Sequence, residues 1–232
     1  MWTRIELKAR AKEAFHRNYW ACVVVAFVIA FFTGTASRST GSNAEELFGS
    51  VDSAEIFALM VAALAISAII TIVVLILKVV VGNVLIVGGN RFFVVNQIET
   101  AKIGELAFGF KCGSMGNIVL VMFLKDLFIA LWSLLLIVPG IVKRYEYLMV
   151  PYILAENPQM NRQEVFQISK QMMMGQKWNA FVLDLSFFGW RLLQAITFGI
   201  VGIFYVEPYY QATISEMYTV NKSIAYQNGY IR

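Results

Sequence analysis

The residues best suited to chemistry in this chain are the few charged side chains inside its long apolar runs. Lys125 and Asp126 interrupt one run, and Asp184 and Arg191 interrupt another. A charge in membrane hydrocarbon costs several kcal/mol unless it faces a partner or water. We therefore expect these side chains to point into a helix bundle. There they would either hold the helices together as ion pairs or line a hydrated cavity for an amphipathic ligand.

Depth along the predicted spans sorts these charges into two layers. At about 1.5 Å of rise per residue, Lys125, Asp126 and Asp184 share an inner layer. We predict an ion pair between Lys125 and Asp184. An outer layer combines Arg191 with four charges of neighbouring segments, namely Lys143, Arg144, Glu146 and Glu207. The summed charges of the two layers cancel, so structural ion pairs and a polar cavity both remain open.

Enzyme chemistry has no sequence signature in this chain. The one histidine, His16, is remote from any carboxylate cluster, and the sequence holds no HExxH, GxSxG, P-loop or GxGxxG motif. Cys22 and Cys112 form no CxxC and are predicted to be unpaired thiols. Met172, Met173 and Met174 are predicted to form a lipid-facing edge. We therefore predict a non-enzymatic protein with no metal and no cofactor.

The composition is that of a membrane protein. Hydrophobic residues make up 59% of the 232 residues and charged residues 15%, whereas soluble domains average about 25% charged. Six spans of about 20 residues fit this length. We predict an all-α, polytopic membrane bundle in which residues 1–232 form a single integral membrane domain. The predicted spans are 19–36, 56–87, 117–138, 141–155, 178–198 and 203–220, with a turn at Pro139-Gly140.

Basic residues predict how the bundle is oriented. Lys and Arg are frequent in the N-terminal segment and in the segments 91–116 and 156–177. The first predicted external loop has a single basic residue, Arg38. The positive-inside rule then predicts a multi-pass plasma-membrane protein with both termini in the cytoplasm. Lys143 and Arg144 would lie outside and argue mildly against it. The net charge of +4 is interpreted as orientation, so no nucleic-acid partner is expected.

Three amphipathic stretches precede the odd-numbered spans. Their apolar positions recur at helical spacing, which predicts interfacial helices on the cytoplasmic face. The chain is then either three repeated units or a set of hairpins that share similar entry segments. The positions are Leu7, Ala11, Ala14 and Phe15, then Ile103, Leu106, Ala107 and Phe110, then Val165, Ile168, Met172 and Met173.

An ordered set of motifs runs through most of the chain. The motifs are Glu6-Leu7-Lys8-Ala9-Arg10, Asn18-Tyr19-Trp20, Leu131-Trp132, Pro139-Gly140, Tyr145-Glu146-Tyr147, Pro151-Tyr152, Gly175-Gln176-Lys177-Trp178, Asp184-Leu185-Ser186 and Pro208-Tyr209. In these motifs the chain resembles a bacterial family of integral membrane proteins, domain-of-unknown-function nine-seven-five. The resemblance implies a polytopic plasma-membrane protein without established activity or catalytic residues. It also implies a distant relation to membrane domains attached to glycerophosphodiester phosphodiesterases, which hints at lipid handling by analogy alone.

The function expected from these features is the transport or sheltering of a lipid-like or amphipathic ligand. The alternative is a membrane scaffold or accessory subunit that binds another membrane protein. Membrane lipids are the expected partners in the first case, and a second membrane protein in the other.

Overall fold

The described part of the chain is entirely helical. A computed structural model describes residues 3–33 and 53–229, and these ranges contain no strand. The all-α prediction is confirmed. The helices are α1 Arg4–Arg17, α2 Tyr19–Thr33, α3 Ser53–Leu77, α4 Asn83–Ile98, α5 Phe108–Lys111, α6 Met115–Leu135, α7 Ile137–Glu146, α8 Val150–Glu156, α9 Arg162–Met172, α10 Lys177–Leu185, α11 Phe188–Ile196 and α12 Glu207–Gln227. Two π-helical turns, Lys78–Gly82 and Gly202–Val206, and a 3₁₀ helix, Ile103–Ala107, join neighbouring helices.

The longest element runs without interruption through α3, the first π-helical turn and α4. Every side chain from position 60 to 78 is exposed, whereas packing begins at Gly82. Met60–Ile98 and Met115–Leu135 are the two described helices that are long and apolar enough to cross a membrane. They weakly suggest membrane association. The number of spans and the orientation stay predictions.

Two of the predicted spans are broken in the middle. The segment 141–155 falls across α7 and α8, which are separated by a turn at 147–149. The segment 178–198 falls across α10 and α11, which are separated at 186–187. The last predicted span is longer than expected, because α12 continues to Gln227. The end of the first predicted span, 34–36, lies outside the described residues.

The turn between α6 and α7 lies three residues before the predicted one. Leu136 has an extended backbone, with φ −156° and ψ 138°, and α6 ends at the residue before it. Pro139 lies in the first turn of α7, where its missing N–H leaves no hydrogen bond unmade. Gly140 sits against α6 so closely that a Cβ there would lie 2.7 Å from the Ser133 Cα. The proline and glycine therefore shape the start of the returning helix rather than the turn.

The core forms around α4, against α1, α2, α8 and α12. Gly88 lets the chain at Leu106 approach, since a Cβ at Gly88 would lie 2.2 Å from the Leu106 carbonyl oxygen. Gly89 does the same for Ile29 of α2. Phe92 and Phe93 fill the centre with their rings at a right angle. The close approach of neighbouring segments to α4 thus depends on two glycines, because a Cβ at either position would overlap the Leu106 backbone or the Ile29 side chain.

The three predicted amphipathic stretches differ in secondary structure and in burial. The predicted face of α1, with Leu7, Ala11, Ala14 and Phe15, is buried as one face, but it packs mainly on α12. The 103–110 stretch is a 3₁₀ helix followed by one short α-helix, so it is not one amphipathic helix. In α9, Val165, Ile168 and Met172 are buried together.

The methionine prediction was wrong for two of its three residues. Met172 and Met173 lie in the core, and only Met174 is exposed. The end of α9 turns the first two inward against the bundle.

Candidate functional site

A buried carboxylate, Glu146, lies between two lysines at the end of α7. Lys143 Nζ is 2.8 Å from Oε1, and Lys177 Nζ is 2.8 Å from Oε2. Glu146 is only 4% exposed. The hydroxyl of Ser169 in α9 donates to the Glu146 carbonyl at 2.8 Å, which satisfies a backbone acceptor that the end of α7 leaves free. We call these four residues the Glu146 cluster.

A second carboxylate, Asp184, is held by two tyrosines near the end of α10. The Tyr145 hydroxyl donates to Oδ2 at 2.7 Å, and the Tyr210 hydroxyl donates to Oδ1 at 2.8 Å. The Arg191 guanidinium of α11 lies 5.3 Å from the Tyr210 ring centroid, a cation–π contact. We call Tyr145, Asp184, Arg191 and Tyr210 the Asp184 cluster. It joins α7, α10, α11 and α12 around one acidic group.

The two clusters adjoin each other and share a structural setting. Tyr145 and Glu146 are consecutive in α7, so one helix end contributes to both. Glu146 immediately precedes the break at 147–149, and Asp184 lies just before the break at 186–187. Both carboxylates therefore lie at the C-terminal ends of short helices, inside segments predicted as continuous spans.

The predicted ion pair between Lys125 and Asp184 does not form. Lys125 Nζ instead lies 3.2 Å from Oδ1 of Asp126, whose side chain is 58% exposed, and both oxygens of Asp184 accept from tyrosines. The depth estimate assumed two straight helices that start at one level. It also left out the direction in which each helix faces and the partners nearer at hand, which are Asp126 for Lys125 and two tyrosine hydroxyls for Asp184.

The predicted outer layer is only partly brought together. Lys143 and Glu146 pair as described, whereas Arg144 is exposed. Glu207 accepts a hydrogen bond from the Gln211 amide at 3.2 Å. Lys143 was assigned to the outer side and Lys177 to the cytoplasmic side, yet both contact one carboxylate. The structure thus brings together two lysines that the predicted topology assigns to opposite sides of a membrane.

Sequence reasoning missed the hydroxyl donors and the second lysine of these clusters. Tyr145 and Tyr210 lie in predicted spans, and Lys177 and Ser169 lie in a segment interpreted as a cytoplasmic loop. Intramembrane charges were matched only with opposite charges. A search for neutral donors within the predicted spans would have found Tyr145 in the Tyr-Glu-Tyr motif, but sequence proximity would have paired it with Glu146 rather than with Asp184, to which it donates.

Three clefts lie apart from the two clusters. One, of about 380 Å³, is apolar and lies between the first π-helical turn and the start of α6. Another, of about 260 Å³, is lined by Arg91, Glu99 and Glu156 with apolar neighbours. The third, also of about 380 Å³, is called the N-terminal cleft and is lined by Thr3, Arg4, Ile5, Lys8 and Ser186.

Metal ligands do not converge in the part of the chain that the structure describes. It contains no group of three or more His, Cys, Asp or Glu side chains placed to hold a metal ion. His16 is exposed, and Cys22 and Cys112 are free thiols. The polar groups that do converge are carboxylates, lysines and tyrosine hydroxyls. Such a set can bind a polar or charged head group by hydrogen bonds and ion pairs.

The chain's family match coincides with both clusters. The sequence model of a family described as "Protein of unknown function (DUF975)" matches residues 134–223, a range that includes every member of the Glu146 and Asp184 clusters. No curated protein and no solved structure matches the chain. Residues 134–223 thus carry the sequence of the uncharacterised family that the motifs indicated.

Proposed function

We propose that the chain is a multi-pass plasma-membrane protein with six spans and with both termini in the cytoplasm. Its apolar surface supports this placement, because large aliphatic side chains are exposed throughout 60–77 of α3 and along α6 and α7. Soluble monomers rarely expose contiguous apolar patches above a few hundred Å². Lipid is the natural cover for such a surface.

The return of the chain after α6 supports a fourth span despite its break. The Asn117 amide donates to the carbonyls of Pro158 and Met160, at 2.8 and 3.0 Å. Asn117 lies near the start of α6. By position 158 the chain has therefore come back along the whole length of that helix, and α7 with α8 forms the returning limb.

The functional proposal is based on the helix breaks beside the two clusters. In transporters, ligand sites form where transmembrane helices are discontinuous and leave polar backbone facing a cavity. Here Glu146 and Asp184 each lie at such an interruption. We propose a non-enzymatic role, without metal or cofactor, in which the protein binds and moves a lipid-like, amphipathic ligand at the Asp184 cluster.

The surroundings of Asp184 fit a ligand with a polar head and an apolar tail. The two tyrosine hydroxyls are neutral donors, so the carboxylate is hydrogen-bonded but not neutralised by them. Arg191 supplies a cation on the neighbouring helix. Beside it, α11 exposes Phe188, Leu192 and Ile196, a surface on which an acyl chain could lie.

Lipid analysis of purified variants tests this proposal. We expect the wild-type protein, extracted in mild detergent, to retain a lipid that mass spectrometry identifies. Asp184→Asn and Arg191→Gln should lose that lipid while Cys22 stays protected from a thiol dye, because Cys22 is fully buried in the folded protein. Asp126→Asn is the matched control, since its carboxylate is largely exposed. Retention of the lipid by both test variants would contradict the proposal.

A cysteine-accessibility experiment tests the topology. In a background without Cys22 and Cys112, a single cysteine at position 198 should react with a membrane-impermeant reagent added outside intact cells. Phe198 is almost fully exposed and is the last residue of the predicted fifth span. A single cysteine at position 102 should react only after the membrane is opened. Labelling of both from one side would refute the six-span arrangement.

A scaffold role is the second candidate, and the exposed half of α3 favours it. Every side chain from 60 to 78 is free of packing, so this helix offers a complete surface to another membrane protein. Affinity purification in mild detergent should then yield a stoichiometric partner. Replacing 60–77 with a polyleucine helix should release it, whereas a pure monomer or homo-oligomer from the wild type would argue against this role.

A further inference from the structure

Two unpaired cations line the N-terminal cleft. Arg4 and Lys8 are one helical turn apart on α1, and both border the cleft with Ser186. The ion pairs formed within the described ranges include neither of them. The nearest acidic group on α1, Glu6, accepts from the Thr3 backbone N–H in a capping box and does not line the cleft. Among the described residues, the cleft therefore carries two cations that no carboxylate pairs with.

The position of Lys8 is fixed by an aromatic ring. Its ammonium lies 4.3 Å from the centroid of the Phe187 ring, and the Tyr209 hydroxyl donates to the Lys8 carbonyl at 3.4 Å. Phe187 is fully buried and belongs to the break between α10 and α11. Partial burial, and then the neighbouring Arg4, lower the pKa of Lys8. An anion in the cleft would offset the repulsion between the two cations.

Apolar side chains are exposed at the cleft and next to it in the sequence. Ile5, which lines the cleft, is 83% exposed, and Phe188 just beyond Ser186 is also exposed. A free anion would gain nothing from these side chains. A molecule with an anionic head and a hydrocarbon tail would contact both the cations and these apolar side chains.

We propose that the N-terminal cleft binds the phosphate group of an anionic lipid headgroup, with Arg4 and Lys8 as its cationic ligands. This inference rests on the membrane placement proposed above, but it does not depend on ligand binding at the Asp184 cluster. Phosphate in a lipid and free phosphate present the same chemistry to the two cations. The exposed apolar side chains favour the lipid.

Lipid titration of the full chain in detergent micelles tests the inference. Native mass spectrometry should show phosphatidylglycerol binding more tightly than phosphatidylcholine. Each basic residue near a membrane surface contributes about fivefold in affinity for anionic lipid, so Arg4→Gln with Lys8→Gln should weaken phosphatidylglycerol binding about twentyfold to thirtyfold. Arg4→Lys with Lys8→Arg, which keeps both charges, should bind within a few-fold of the wild type.

The matched control removes the same net charge elsewhere. Lys102 and Lys111 are exposed and do not line the cleft, so Lys102→Gln with Lys111→Gln should leave phosphatidylglycerol binding unchanged. An equal loss in this control, or none in the Arg4 and Lys8 variant, would overturn the inference. Should the double variant fail to fold, as judged by Cys22 protection, Arg4→Gln alone gives the same test, because Arg4 is exposed.

Further measurements distinguish lipid phosphate from free phosphate, and binding at the N-terminal cleft from binding at the Asp184 cluster. Displacement of phosphatidylglycerol by millimolar inorganic phosphate would overturn the lipid assignment in favour of a free anion. Adding Arg4→Gln and Lys8→Gln to Asp184→Asn should weaken phosphatidylglycerol binding by a further twentyfold to thirtyfold, about the same factor as in the wild-type background, and no further loss would assign the bound lipid to the Asp184 cluster instead. Release of the protein from membranes by alkaline carbonate would refute the membrane placement itself.

Discussion

Neutralising Glu146 should destabilise the protein more than neutralising any exposed acid. Glu146→Gln keeps the size of the side chain but leaves Lys143 and Lys177 side by side without a counter-charge. Both Nζ atoms lie 2.8 Å from the carboxylate, so the two ammonium groups are held close together. A glutamine oxygen can accept from one of them and compensates neither charge.

The size of the effect follows from burial. Removing one partner of a buried ion pair costs about 3–5 kcal/mol. The two lysine side chains are 23% and 33% exposed, so water partly solvates them after the change, and we expect about 2–3 kcal/mol. For a chain of this length that is a fall in Tm of about 4–12 °C. Lys143→Met alone should cost less, about 1–2 kcal/mol, since the carboxylate keeps Lys177.

Unfolding in detergent can be followed through Cys22. Its thiol is buried in the native protein and should react with a fluorogenic maleimide only on unfolding, in a Cys112→Ser background. Glu13→Gln is the control, because Glu13 is exposed on α1. A Tm for Glu146→Gln within 1–2 °C of that control, about one-half kcal/mol, would refute the reasoning. Replacing Lys143, Glu146 and Lys177 together by Met, Leu and Met should restore most of the stability, as buried ion pairs often can be exchanged for apolar packing.

Three further predictions concern packing, hydrogen bonding and membrane insertion. Gly140→Ala should lower the free energy of unfolding by about 1–3 kcal/mol, because the added Cβ would overlap the backbone of α6. Gly116→Ala is the control: a Cβ at this position would meet no atom within 4 Å, so the change should stabilise the protein by up to about 1 kcal/mol in the same thiol assay. Tyr145→Phe and Tyr210→Phe should each cost about 1–3 kcal/mol, since each removes a donor to a carboxylate, and equal stability of both with the wild type would contradict the described hydrogen bonds. Leu75→Arg on the exposed half of α3 should reduce the carbonate-resistant fraction in membranes, at about 3 kcal/mol for a central arginine, and full resistance would place that stretch outside the hydrocarbon.

The elements that the sequence predicted well are those with one clear period or one clear length. The buried face of α1 follows directly from Leu7, Ala11, Ala14 and Phe15, because apolar residues at that spacing share one side of a helix. The apolar runs containing α3 and α6 were likewise long enough to be recognised. Where a run is uniformly apolar, however, hydropathy does not reveal which side faces protein, and the exposure of 60–78 could not be inferred.

The carboxylate partners were missed because their contacts depend on tertiary structure. Tyr145 and Tyr210 are 65 positions apart, and Asp184 meets both only after α10 and α12 pack beside α7. The sequence supplied the charged residues but not the direction of the helices that carry them. A pairing rule based on depth alone therefore chose Lys125 for Asp184, while the geometry of α6 gave Lys125 its neighbour Asp126.

The meeting of Lys143 and Lys177 at one carboxylate reconciles the broken segments with a membrane. At about 1.5 Å per residue, neither α7 nor α10 alone is long enough to cross about 30 Å of hydrocarbon. The end of α7 at Glu146 meets the beginning of α10 at Lys177, and each segment continues through a second short helix, α8 or α11. Such interruptions are tolerated only where the freed backbone groups find partners. Ser169 provides one by donating to the Glu146 carbonyl. Lys143 and Lys177 thus compensate the charge of Glu146 while Ser169 stabilises the break, whereas in the described part of the chain the two oxygens of Asp184 accept from neutral tyrosine hydroxyls.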